Sequence, residues 1–185
     1  MKPLVISYSL TGNNEVLAES LTEALGAARG RITESKTRTI GTTALDMLLN
    51  RTPKIELEVP EPQEHAPVLF VGPVWMGHVA SPFRGCFTRL GPKLGDYAYV
   101  SISGGADGPN PKLADELTKR LGKAPRAVVD LHIADLLPKD PAPRREDTSS
   151  YRLSEQDAGE LTERVLAELH ATFGLKAKKR PRSHG

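Results

Sequence analysis

Ser9, Thr11, Gly12, Asn13 and Asn14 place small or polar groups at the junction between an apolar run and a helical pattern, with Leu10 the one apolar side chain among them. A loop in that position offers unpaired backbone amides and the positive end of a helix dipole, which together suit an anion such as phosphate. Gly12 allows a tight turn and close backbone approach, and the short hydroxyl and amide side chains add donors without bulk. The loop has no Lys or Arg and lacks the "GKS" or "GKT" of a nucleoside triphosphatase, so a phosphate there would be bound and not transferred. The same residues also make an ordinary helix cap and turn, and the loop alone leaves both readings open.

Two further loops carry residues of interest. "GPVWMG", residues 72–77, holds the single tryptophan, Trp75, among Pro73, Val74, Met76 and Gly77. A flat indole beyond a buried strand can stack on a heterocycle, or can serve as a core or lid residue. In "SISGGADGPNP", Ser103, Gly104 and Gly105 present backbone at close range, and Asp107 reads as a turn former.

The elements that must position these loops follow from periodicity. "PLVISY" is an uninterrupted apolar run of the kind found in a strand covered on both faces. Leu17, Leu21, Leu25 and Ala28 recur at helical spacing, predicting a helix over residues 15–28. "RITESK", "VLFVG", "YAYVSIS" and "AVVDLHI" read as four more strands, and "ALDMLLNR" as a short helix with Leu45, Leu48 and Leu49 on one side. Pro82 is placed to open a helix, "KLADELTKRLG" continues the pattern, and Ser154 caps a last helix carrying Leu161, Val165, Leu166, Leu169 and Phe173. "PKDPAPRREDTSS" reads as a surface connection too rich in Pro and charge to pack. Strands alternating with helices call for a parallel sheet with helices on both faces, with ligands beyond the carboxyl ends of its strands.

A chain of 185 residues suits one domain, expected over residues 1–175, followed by a basic segment, 176–185, expected to be disordered. That segment carries five basic residues and no acidic ones, while the rest holds 20 Lys plus Arg against 23 Asp plus Glu. Five charges bind nucleic acid or an anionic membrane weakly and salt-sensitively, so neither is the expected partner. No apolar run nears the roughly 20 residues of a membrane span, and no signal-peptide pattern is present. The expected location is therefore cytoplasmic. Cys86, the single cysteine, excludes an intrachain disulfide and in "FRGCF" reads as a buried side chain. His65, His78, His132, His170 and His184 show no i, i+4 ligand spacing, so no metal site is expected.

Together these loops resemble the flavodoxin family from Met1 to about Phe173. "YSLTGNNEVLAESL" is similar to that family's phosphate loop, with Ser9, Thr11 and Gly12 matching and Asn14 standing at its final Thr position. "GPVWMGHVASPFRGCF" resembles the segment whose aromatic flanks a flavin ring. The resemblance implies a flavodoxin-like three-layer α/β sandwich with a five-stranded parallel sheet of order 2-1-3-4-5. It also implies noncovalent FMN, its phosphate at Ser9, Leu10, Thr11, Gly12, Asn13 and Asn14. The ring would then lie between Pro73, Val74, Trp75, Met76 and Gly77 on one side and Ser103, Gly104 and Gly105 on the other. Redox chemistry would belong to the cofactor. His78, just past Gly77, would be either a proton donor or a surface histidine.

Three classes of function fit. One is an oxidoreductase passing electrons from NAD(P)H to a quinone or similar small acceptor. Another is an electron carrier docking on partner redox proteins, and the third a flavin-free binding module. Carriers of this kind use strongly acidic surfaces to steer docking, and a mildly acidic body with a basic tail fits that role less well than it fits the enzyme.

Overall fold

The computed structural model describes residues 1–35, 51–106 and 108–178. The helix expected around Leu45, Leu48 and Leu49, together with Asp107 and residues 179–185, lies outside the described residues. Of the basic segment, residues 176–178 are described, and there the Lys178 amide donates to the Ala24 carbonyl at 2.6 Å.

In chain order, strand β1 (Leu4–Ser7) leads into helix α1 (Asn13–Leu25), which buries Leu17, Ala18 and Leu21. The helix stops at Gly26, so Ala28, expected in its stripe, instead opens β2 (Ala28–Glu34). Strands β3 (Ile55–Glu58) and β4 (Val68–Val71) follow, and then a short hairpin, β5 (Val74–Trp75) with β6 (His78–Val79). Helix α2 (Pro82–Leu90), β7 (Tyr97–Ser103), α3 (Leu113–Leu121) and β8 (Ala127–His132) complete the sheet region. Helices α4 (Arg145–Ser150) and α5 (Glu155–Phe173) end the described chain, with Ser154 capping α5 through a bond from the Asp157 amide.

The sheet order is β3-β2-β1-β4-β7-β8. Its five parallel strands stand in the expected 2-1-3-4-5 order, the flavodoxin-like form of a doubly wound sheet. The expectation of five strands is corrected by β3, which adds a sixth, antiparallel to β2 with Ile32 opposite Leu57. "IELE" alternates: Ile55 is buried while Glu56 and Glu58 face outward, as suits an edge strand that must resist further pairing. Also corrected is the reading of "PKDPAPRREDTSS" as unpacked, because its second half forms α4 and buries Thr148.

Alternation along the strands divides the core in two. Leu4, Ile6, Phe70, Tyr97 and Tyr99 meet Phe83, Cys86, Phe87 and Leu90 of α2 and Leu113 and Leu117 of α3. On the other face Val5, Leu69, Val71, Val100 and Ile102 meet Leu17 and Leu21 of α1 and Leu161, Val165 and Leu169 of α5. Cys86 is fully buried, and burial pushes its thiol up to about 12, so it is inert packing. Just past β4, the chain passes so close to α2 that a Cβ on Gly72 would lie 2.1 Å from the Phe83 ring. Only glycine fits there.

Candidate functional site

Because the strands are parallel, the segments following β1, β4 and β7 emerge at one edge, on either side of the place where strand order reverses. Gly12, with φ 96°, turns the first of these segments into α1, and its amide donates to Ser9 Oγ at 3.0 Å. Its carbonyl accepts from the amides of Glu15 and Val16, both at 3.0 Å. Among the described residues, no acceptor meets the amides of Leu10, Thr11, Asn13 or Asn14. Leu10, Thr11 and Gly12 are exposed, and no atom stands within 4 Å of where a Cβ on Gly12 would be. Unpaired donors at a helix N-terminus are what binding an anion would require.

The side chains of Asn13 and Asn14 do not contribute to it, contrary to the expectation that they supply donors. Asn13 Nδ2 donates to the Tyr151 carbonyl at 3.0 Å, and its Oδ1 accepts from the Leu153 amide at 3.1 Å. Asn14 Nδ2 donates to the Ile102 carbonyl at 2.8 Å, and its Oδ1 accepts from the Ile102 amide at 3.0 Å. Both are buried, each satisfying a stretch of backbone that has no strand partner there. What remains for a ligand at these positions is their amides.

Beneath the loop lies a charge cluster brought in from β2. Glu15 accepts from the Ser7 hydroxyl at 2.7 Å, from Arg29 at 2.8 Å and from Arg31. Arg29 also donates to Ser7 Oγ at 2.7 Å. The loop sequence has no basic residue, and the cluster at its base is balanced, because Arg31 also lies 3.7 Å from Glu19, which makes two guanidiniums against two carboxylates. Burial pushes the Glu15 carboxyl up, but the Ser7 hydroxyl and the two guanidiniums outweigh it and hold it below 4.5. A carboxyl depressed in the folded state stabilises the fold above its unfolded pKa, and that stability is lost as pH falls through the folded value. Glu15→Gln is therefore expected to cost about 1 kcal/mol at pH 7. In urea titrations the gap to the wild type should close as pH falls below 4.5; a gap of the same size at both pH values would contradict this account.

The second loop is the β5–β6 hairpin, turned by Met76 (φ 52°) and Gly77 (φ 79°), both left-handed as a two-residue hairpin turn requires. Met76 is 77% exposed. Tyr99 holds the hairpin's base by donating to the Gly72 carbonyl at 3.1 Å, with the Pro73 carbonyl 3.3 Å away. Burial, with the Glu116 and Asp130 carboxylates nearby, raises its phenol well above the usual value. Trp75 is half-buried and packs edge-on against Tyr8, ring centroids 5.8 Å apart at 81°. His78 sits on the outer strand, its Nδ1 3.3 Å from Glu116 Oε2. Glu116 also takes the Val79 amide at 3.0 Å and Arg120 Nε at 2.7 Å, so it fixes the whole strand.

The hairpin and the third loop enclose a cavity of about 310 Å³, at the small end of the range for ligand pockets. Val74, Met76 and Gly77 line it from the hairpin, residues 103–106 and 108–110 from the loop, and Arg145 and Thr148 from α4. Of the expected ring contacts, Val74, Met76, Gly77, Ser103, Gly104 and Gly105 meet in this cavity, while Pro73, Trp75 and His78 are not among its lining residues. Ser9 to Asn14 do not line it either, but Asn14 ties their helix to Ile102, one residue before Ser103. Gly104 has no room for a Cβ, which would stand 2.9 Å from Thr148 Oγ1. Asn110, Glu116, Arg145 and Thr148 escaped the sequence reading. An i, i+4 pair with Arg120 was a visible sign for Glu116, whereas nothing local distinguishes the other three.

Among the described residues, no group of three or more His, Cys, Asp and Glu side chains is placed to hold a metal, and no helix is long and apolar enough to cross a membrane.

No protein-family model matches this chain, and no curated protein matches its sequence. Solved structures do share its fold. A flavoprotein from Lactobacillus acidophilus, crystallised in complex with FMN, is 22% identical with a TM-score of 0.60 over 70% of this chain and 92% of its own. A Bacteroides eggerthii protein provisionally named a flavoprotein is 16% identical with a TM-score of 0.65 over 92% of this chain and 97% of its own. A similarly named Bacteroides uniformis protein is 14% identical with a TM-score of 0.62 over 88% and 97%.

Proposed function

We propose that this chain binds FMN without a covalent bond and works as an oxidoreductase, passing electrons from NAD(P)H to a quinone or similar small acceptor. The observation that carries this reading is the set of four amides without an acceptor at the start of α1, on the same sheet edge as the 310 Å³ cavity between hairpin and third loop. The donor set fits the cofactor: amides for a phosphate ester, with the nearby Glu15 carboxylate engaged by Arg29 and Arg31, and a cavity walled mainly by glycine backbone and apolar side chains for a flat ring. Two solved structures with the same fold carry flavoprotein names, and a third contains FMN, which supports the assignment.

In this reading the amides of residues 10, 11, 13 and 14 bind the phosphate, and Arg29 and Arg31 offset Glu15 beneath it. Backbone at Ser103, Gly104 and Gly105 orients the ring, while Met76 and Val74 keep water from one side. His78 would give a proton to the reduced acceptor, its imidazole held by Glu116. FMN itself would supply the electron transfer that no side chain here offers.

The test is a titration with FMN followed by quenching of flavin fluorescence, with thermal midpoints measured in parallel. At 100 times the dissociation constant, binding adds about 2.7 kcal/mol to stability. Protein that quenches no flavin and whose midpoint stays put under excess FMN is not a flavoprotein. Given binding, steady NAD(P)H oxidation with a quinone supports the enzyme. An electron carrier is the second reading, favoured by Leu10 and Met76, large apolar side chains exposed on the loops that frame the site and available to a docking protein. It would be reduced only through a partner reductase.

A further inference from the structure

The side chains that shape the third loop do not themselves line the cavity. On β8, Asp130 and His132 lie two residues apart and so point to the same side of the sheet, opposite Ser101 and Ser103 of β7. Asp130 reaches the far end of the loop: its Oδ2 accepts from the Asn110 amide at 3.0 Å and from Asn110 Nδ2 at 3.0 Å, with Oδ1 at 3.3 Å from the same Nδ2. His132 lies under the near end, where a Cβ on Gly105 would stand 2.3 Å from the histidine Cβ and 2.5 Å from its ring. The His132 Nε2 is 3.2 Å from Asp130 Oδ2 but finds no hydrogen-bond partner, so the two meet off the bonding line, in an electrostatic contact. Both side chains are largely buried, at 11% and 17% exposure. Within the loop, Gly105 and Gly108 close a turn by a 3.0 Å bond, and the Ala134 amide holds the Gly104 carbonyl at 3.0 Å. The near end thus rests on imidazole and backbone, and the far end is held by the Asp130 carboxylate and by the Leu113 amide, which donates to the Asn110 carbonyl at 3.1 Å.

We infer that Asp130 is a positioning residue for the cavity: through Asn110, and braced by His132, it fixes the loop whose backbone forms the cavity wall. The inference takes its ligand from the proposed FMN reading. Its physical basis is the bonding pattern of the carboxylate. An ionised carboxyl only accepts, so it can take both Asn110 donors at once, and such charge-assisted bonds are about twice as strong as neutral ones. Both 3.0 Å bonds end on Oδ2, so an amide oxygen there takes them without the charge, while its NH2, in the place of Oδ1, faces Asn110 Nδ2, a donor toward a donor.

Asp130→Asn keeps the shape and removes that pattern. In protein free of flavin, amide hydrogen exchange at residues 105, 106, 108 and 110 is expected to speed up about tenfold or more, with the thermal midpoint of the whole protein little changed. In the presence of FMN, the dissociation constant should rise by a similar factor. Asn110→Ala, which leaves carboxylate and backbone bond in place, should show a smaller effect of the same sign, and it serves if Asp130→Asn does not fold. Unchanged exchange in the loop overturns the inference, as does faster exchange with unaltered FMN affinity in a chain that binds FMN. Should the wild type bind no FMN, the functional reading falls alone, because exchange in the flavin-free protein still decides whether Asp130 holds the loop.

Discussion

Asn14→Leu is expected to cost about 4 kcal/mol of stability, seen as a thermal midpoint lower by roughly 10 °C or more. Leucine has the same branching but larger terminal groups, so some crowding against the Ile102 backbone adds to the cost. What changes is that the Ile102 amide and carbonyl, which Asn14 satisfies together at 3.0 and 2.8 Å, are left without partners in a buried place. Each orphaned group costs about 1 to 3 kcal/mol. Asn14→Asp would separate the two bonds, since a carboxylate can accept from the Ile102 amide but cannot donate to its carbonyl and brings a charge to a side chain only 2% exposed. A midpoint for Asn14→Leu within a degree or two of the wild type would mean that the α1–β7 tie is dispensable. A threonine hydroxyl could not replace this tie, because its donor and acceptor sit on one oxygen too close to the backbone to reach the amide and the carbonyl of Ile102 together.

Gly105→Ala is expected to cost about 3 kcal/mol, or roughly 10 °C in midpoint, and, if the chain binds FMN as proposed, to weaken that binding beyond measurement by fluorescence quenching. Two penalties add. The residue has φ 75°, a left-handed conformation costing about 1 to 2 kcal/mol for any L side chain. A Cβ would also meet His132 at 2.3 Å, and because the contact is with the histidine Cβ, no rotation of the ring relieves it. The loop would have to lift, moving the wall of the cavity. Gly108→Ala is the informative control: its φ is 86°, but nothing stands within 4 Å of the added methyl, so it should carry the conformational penalty alone. If both substitutions cost the same, His132 is not the platform under this loop.

The sequence by itself determined the five parallel strands, the helices packed on them and the glycine turn that leads β1 into α1. Those features rest on short-range physics: apolar runs such as Val68–Val71, the four-residue spacing of Leu113 and Leu117, Ser154 capping α5, and Gly12 at a strand-to-helix junction. Edge strand β3 left a legible alternation in "IELE", but the β5–β6 hairpin has only two residues per strand, too few for any period to register. Tertiary structure alone decided what the polar side chains do. Asn13 and Asn14 are identical in type and adjacent, yet one bonds backbone 138 residues away and the other 88. Arg29 and Arg31 reach Glu15 only because β2 lies beside β1, and Asp130 meets Asn110 only because β8 lies beside β7. A local pattern records which face of an element is buried. The choice of hydrogen-bond partner is made by whatever the fold brings within 3 Å, and that depends on strand order, which no stretch of a few residues contains.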